Sequence, residues 1–221
     1  MPSEWALEFH QQYAPEINIS GAALGGLVPN ATDVVVSVGG TIWASHAISG
    51  ILGIVSQYPD AYDFLLSQLK TSGPYNKTGF LAIRQMSYPQ AHVVYGGLNM
   101  FDYFMDGSAI MQAPLVKTAF EQNAVMGFHG VPDIGVPLFI YKAINDEVTL
   151  IADSDAYVER SCAFGVNILY QRNTVGGHQD EFTNGDPRAF EWLKRVLDEE
   201  YTPTTGCSIQ NVTVDIVNTG L

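Results

Sequence analysis

Asp146 and His178 stand 32 positions apart, each just after an apolar run with the composition of a buried strand. The runs are residues 136–144, before Asn145-Asp146, and residues 166–170, before Gly176-Gly177-His178. A carboxylate facing one imidazole nitrogen holds the ring in a single tautomer and stabilises the imidazolium, leaving the other nitrogen to act as a general base. Loops after neighbouring parallel strands converge at one edge of a sheet, and the gap accommodates one helix and one strand. Three other readings stay open: Asp146 caps the segment that follows it, Glu147 is the working acid, or His178 is a surface histidine in a glycine-rich loop. A base of this kind serves a nucleophile, yet no G-x-S-x-G serine elbow occurs anywhere in the chain. Ser20, Ser37 and Ser108 stand on no strand–turn–helix pattern.

Other chemistries find little support. His178, Asp180 and Glu181 form no recognised metal-ligand spacing, and no histidine lies four positions on, so no metal is expected. There is no phosphate-binding glycine loop and no basic patch, hence no nucleotide cofactor. His10 reads as a solvated helix position, His46 and His92 as packing residues, and His129 as a turn residue.

The composition narrows the partners. A formal charge of −13 repels nucleic acid and anionic lipid, while neutral esters and glycerides remain open. With 47% hydrophobic and 15% charged residues, the 221-residue chain can bury a large core. Four N-glycosylation sequons, at Asn18, Asn30, Asn76 and Asn211, favour a secretory history. The first residues, Met-Pro-Ser-Glu-Trp-Ala, show neither the basic nor the apolar region of a signal peptide. The expectation is that the front of a secreted protein is missing. Residues 34–55 form the longest apolar stretch, but glycines and polar residues interrupt it, favouring a buried or cap helix over a membrane span.

These features require elements to position them. Residues 3–13 read as a helix with Ser3 as N-cap, and residues 17–24 as a short buried strand whose preceding partner strand is absent. From 29 to 131 strand signals thin out, and helical patches appear at 41–57, 60–69 and 114–125. So long an insertion between strands favours a helical cap, although ordinary core helices flanking the sheet stay possible. A helix is expected at 151–163, stopped by Gly165, then the strand at 166–170. Asp186-Pro187 is expected to open the last helix with Pro at its first position, and residues 202–221 show only period-two patches. The organisation is therefore an α/β core at 1–28 and 132–221, with a helical insertion at 29–131.

At this point the residues resemble a family. Trp5-Ala6, Tyr13-Ala14-Pro15-Glu16-Ile17-Asn18-Ile19, Gly21-Ala22-Ala23 and Gly25-Gly26 look like the segment following the serine elbow in fungal secretory lipases, the Candida antarctica lipase A-like family. The likeness continues through Tyr88-Pro89, Leu98-Asn99, Ile144-Asn145-Asp146-Glu147-Val148, Cys162-Ala163, Gly165, Asn167-Ile168 and Gly177-His178. It covers essentially the whole chain.

The resemblance implies an α/β-hydrolase fold (the C-terminal portion of its sheet) with an inserted, mainly helical cap, and a Ser-His-Asp carboxylic ester hydrolase of triacylglycerol lipase or esterase type. Asp146 and His178 would be its acid and base. The serine and the oxyanion hole would lie upstream of Met1, so these residues alone would be inactive or nearly so. Family members carry cysteines in matching places, which implies a Cys162–Cys207 disulfide, against two thiols that never meet. The cap would offer acyl-chain surface and contact with a lipid–water interface, with Phe101, Tyr103, Phe104 and Met105 as candidate lining residues. Two further expectations are an acetyl-ester hydrolase of secondary metabolites, and an inactive truncated homologue that binds lipid or a partner through the open edge of the strand at 17–24.

Overall fold

The computed structural model describes residues 2–203 and 206–216. In chain order its elements are helix α1 (Pro2–Tyr13), strand β1 (Ala22–Gly25), helices α2 (Ala31–Val38), α3 (Ala44–Val55), α4 (Pro59–Ser67), α5 (Lys77–Leu81), α6 (Tyr88–Tyr95) and α7 (Pro114–Asn123), strand β2 (Leu138–Ala143), helix α8 (Ile151–Ala163), strand β3 (Ile168–Asn173), helix α9 (His178–Leu197) and strand β4 (Ser208–Val212). Two compact units result: residues 1–29 with 126–221, and residues 30–125.

The first unit is a four-stranded sheet in the order β1-β2-β3-β4, every neighbouring pair parallel. Parallel pairing needs a crossover, and α8 and α9 supply two of them. Strand β2 is buried along its whole length, so its side chains alternate between two dry faces. Leu138 and Ile140 join Leu7, Leu24, Tyr157, Val158, Ile168 and Tyr170 in one core. Phe139 and Tyr141 join Ala189 and Trp192 of α9 in the other. Full burial of each large apolar side chain stabilises by about 1.5–3 kcal/mol. Tyr141 has room only because Gly25 and Gly185 flank it; a Cβ at either position would run into its ring. The Cys162–Cys207 disulfide, with Cα atoms 5.9 Å apart, ties the end of α8 to the start of β4.

The second unit is helical and has its own core. Ala44, Ala47, Ile48, Ile51, Leu52 and Val55 of α3 recur at helical spacing and are buried. Phe80 packs edge-on against Tyr103 and Phe104. The chain enters and leaves this unit side by side, with Asn30 bridged to Val125 and the Ala31 N–H donating to the Ala124 carbonyl at 2.8 Å. Among the described residues no helix is long and apolar enough to cross a membrane.

Several expectations need correcting. Helix α1 already includes Ser3, so that serine is no cap. Ile17 is exposed and the strand is confined to Ala22–Gly25, the residues that pair with Leu138–Tyr141 of β2. Helix α9 begins at His178 and runs through Pro187. A helix-interior proline normally costs about 3 kcal/mol, but here the amphipathic face that buries Glu181, Asn184, Ala189 and Trp192 overrides it. His10 is buried, its Nε2 2.6 Å from the Ile17 carbonyl oxygen, and His46 is exposed beside Trp43 and Tyr88. Phe101, Tyr103 and Phe104 belong to the core of the helical unit; of the four candidate lining residues only Met105 is exposed. In the tail, residues 208–212 form β4, an edge strand that polar composition had hidden, and residues 217–221 lie outside the described residues.

Candidate active site

Strands β2 and β3 are adjacent, and the loops that follow them bring Asp146 and His178 together. The Nδ1 atom of His178 lies 2.9 Å from Oδ2 of Asp146. The carboxylate is almost wholly buried, with its side chain 2% exposed, whereas the imidazole is 29% exposed. The other oxygen, Oδ1, accepts the backbone N–H groups of Val148 at 2.9 Å and Thr149 at 2.8 Å. Asp146 thus caps its own loop and faces the imidazole at once. Glu147 takes another part: its Oε2 accepts the backbone N–H of His178 at 2.9 Å.

Two further side chains hold Oδ2. Thr149 donates its hydroxyl at 2.9 Å, and Lys142 donates from Nζ at 2.9 Å. Lys142 also donates to the Thr149 hydroxyl and lies 3.4 Å from the Leu27 carbonyl oxygen. Burial opposes the charge of Asp146, yet the His178 hydrogen bond, the Lys142 charge and the Thr149 N–H together hold its carboxyl well below the usual carboxylate range. Burial likewise pushes the Lys142 ammonium down, against the pull of Asp146. Because Asp146 stays ionised, Nδ1 carries the proton of the neutral ring and Nε2 is the basic nitrogen.

Glycines and a polar network position the histidine. Gly176, at φ +81°, turns the chain out of β3, and Gly177 donates its N–H to Oδ2 of Asp180 at 2.9 Å, closing the first turn of α9. Behind that turn buried Glu181 accepts from Asn173 at 2.7 Å and from Arg188, which also donates to Gln171 at 2.7 Å. Gly26, at φ +54°, ends β1 so close that a Cβ there would lie 3.7 Å from Cε1 of His178. A cavity of about 170 Å³ opens here, lined by Gly25, Gly26, Tyr141, Asp146, His178, Glu181 and Phe182.

Lys142 escaped the sequence reading. It sits inside an apolar run, and only the strand register turns it toward Asp146. Among the described residues no group of three or more His, Cys, Asp or Glu side chains could hold a metal. The sequon asparagines divide in two. Asn18 and Asn211 are exposed, whereas Asn30 and Asn76 cap α2 and α5, with their Nδ2 atoms donating at 2.7 Å to Asp33 and to the Gly73 carbonyl.

Comparison with known proteins places this geometry in context. The secretory lipase family model matches residues 1–204. The chain is 40% identical over 216 residues to the trichothecene C-3 esterase of Fusarium sporotrichioides, covering 96% of this chain and 48% of that protein. To lipase A of Arthroderma benhamiae it is 33% identical over 220 residues, covering 99% and 45%. The X-ray structure of Candida antarctica lipase A superposes with a TM-score of 0.80 at 25% identity, covering 97% of this chain and 50% of that one. The chain therefore spans about half the length of the curated relatives it matches.

Proposed function

The chain belongs to the secretory lipase family, and from that premise we propose that its Asp146–His178 pair is the acid and base of a carboxylic ester hydrolysis by a serine nucleophile. The observation that carries the reading is the 2.9 Å contact between a buried carboxylate and a partly exposed imidazole at one edge of a parallel sheet. The relatives are about twice as long, and the serine and the oxyanion-hole donors come from the part of the enzyme that these residues do not span.

In the intact enzyme Nε2 of His178 takes the serine proton as the hydroxyl oxygen attacks the ester carbonyl carbon. The imidazolium, stabilised by Asp146, returns that proton to the departing alkoxide as the tetrahedral intermediate collapses to an acyl-enzyme. Water then repeats the cycle, with His178 again the base, and releases the acid. Backbone N–H groups are needed to stabilise the oxyanion, each worth about 10²–10³ in rate. The substrate is a neutral ester or glyceride, in keeping with the charge of −13. The intact protein is secreted, as the family's description implies, and the unit at 30–125 acts as its cap.

A second reading, hydrolysis of short acyl esters on larger metabolites, is favoured by the 40% identity to a trichothecene C-3 esterase, against 33% to a lipase A. A chain-length series of esters on the intact enzyme separates the two: a maximum at acetyl supports the metabolite esterase, a maximum at long acyl chains the lipase. The shared mechanism is tested with a fluorophosphonate probe. It should label one serine in the intact protein, lose that labelling in His178→Ala, and leave these 221 residues unlabelled. Undiminished labelling of His178→Ala contradicts the assignment of the base.

A further inference from the structure

Among the described residues Lys142 is the one fully buried lysine, and no catalytic step proposed for the pair uses it. Burying an ammonium carries a desolvation penalty of several kcal/mol, and a well-packed apolar side chain at such a position is often as stable or more so. Nor does Asp146 need the lysine to satisfy its oxygens. Without it the carboxylate still accepts from Val148 N–H, Thr149 N–H, the Thr149 hydroxyl and His178 Nδ1. What Lys142 adds that these donors do not is an ammonium, opposed by burial and favoured by Asp146, on the same Oδ2 that faces the imidazole.

Two cations bound to one carboxylate oxygen compete for its field. An imidazolium at His178 would stand beside Asp146 and would feel Lys142 at the same time. With Nζ and Nδ1 each 2.9 Å from one oxygen, the two nitrogens lie within about 6 Å of each other, close enough for the charge of one to act on the other. We propose that Lys142 is a positioning residue for the base: it fixes the Asp146 carboxylate and offsets part of its charge, so that His178 faces an oxygen already held by a second cationic partner. This deepens the proposed function and rests on it.

Other charges face the pair without duplicating the lysine. Asp153 and Asp155 of α8 act on Lys142 from a distance and favour its ammonium. Glu147, on the acid loop, holds the His178 backbone, and Glu181 of α9, which lines the same cavity, is paired with Arg188. Thr149 offers a comparison: it contacts the same oxygen and carries no charge, and although its hydroxyl also accepts from Lys142, its removal leaves the ammonium on Oδ2.

The test follows the ring nitrogens of His178 by ¹⁵N NMR across pH in the intact protein. Lys142→Gln should raise the ring's titration midpoint by about one pH unit, while Thr149→Val should move it much less. An unmoved midpoint in Lys142→Gln, or an equal shift in Thr149→Val, overturns the proposal. Asp146→Asn separates this failure from that of the underlying reading. If it leaves the midpoint in place, the acid–base assignment itself falls; if it lowers the midpoint while Lys142→Gln has no effect, only the role of Lys142 falls. Should Lys142→Gln not fold, the native chain still decides. The ¹⁵Nζ signal of Lys142 should change at the His178 midpoint, and a signal flat through that range contradicts the coupling.

Discussion

Glu147 Oε2 accepts the backbone N–H of His178 at 2.9 Å, so the residue beside Asp146 holds the main chain of the histidine that Asp146 faces. The two loops are thus joined twice, once through side chains and once through the first turn of α9. Glu147→Ala removes the second link and leaves the Asp146–His178 contact in place. The expected result is a fall in kcat of the intact enzyme by about 10-fold with KM little changed, and a stability loss of about 1 kcal/mol. Steady-state kinetics and thermal unfolding check both.

The disulfide closes a loop of 45 residues between the end of α8 and the start of β4. On the chain-entropy estimate it contributes about 4 kcal/mol. Replacing both cysteines by serine should therefore lower Tm by roughly 8–16 °C. Reductant should produce a similar fall in the native chain and none in the double variant.

Glu4 gives a pH dependence of its own. Its side chain is fully buried in α1 and accepts the Tyr157 hydroxyl at 2.7 Å. Burial, and then the neighbouring carboxyl of Glu8, push Glu4 up to about 9. A carboxyl whose folded value is raised binds more protons folded than unfolded between 4.5 and about 9, so stability declines as pH rises through that window. Glu4→Gln removes this titration. Its Tm should match the native value near pH 4.5 and exceed it increasingly toward pH 9; parallel profiles would contradict the assignment.

The sequons should differ in occupancy. Asn18 and Asn211 present exposed side chains, whereas the amides of Asn30 and Asn76 are turned into helix caps. Mass spectrometry of the secreted protein should find glycan at the first pair and little at the second. Full occupancy at Asn30 or Asn76 would contradict this.

The parts of the molecule legible in the sequence were those with a local cause. The run before Asp146 is strongly apolar and ends at a polar turn, so its strand and the loop beyond it could be read directly; so could α8, with Gly165 at φ +90° closing it. The rest depended on partners far along the chain. Lys142 looks out of place among apolar neighbours until the strand register sets it against Asp146. Pro187 looks like a helix start until the packing of Tyr141 between Gly25 and Gly185 shows the helix already under way. Strand β4 is too polar to be seen alone, and pairing with β3 defines it.

The central claim is tested most directly by kcat/KM for ester hydrolysis in the intact enzyme carrying Asp146→Asn. That change keeps the size of the side chain but removes the charge that orients and stabilises the imidazole. The account predicts a loss on the order of 10³–10⁴-fold with the fold retained. A variant that hydrolyses esters within a few-fold of the native rate would contradict it.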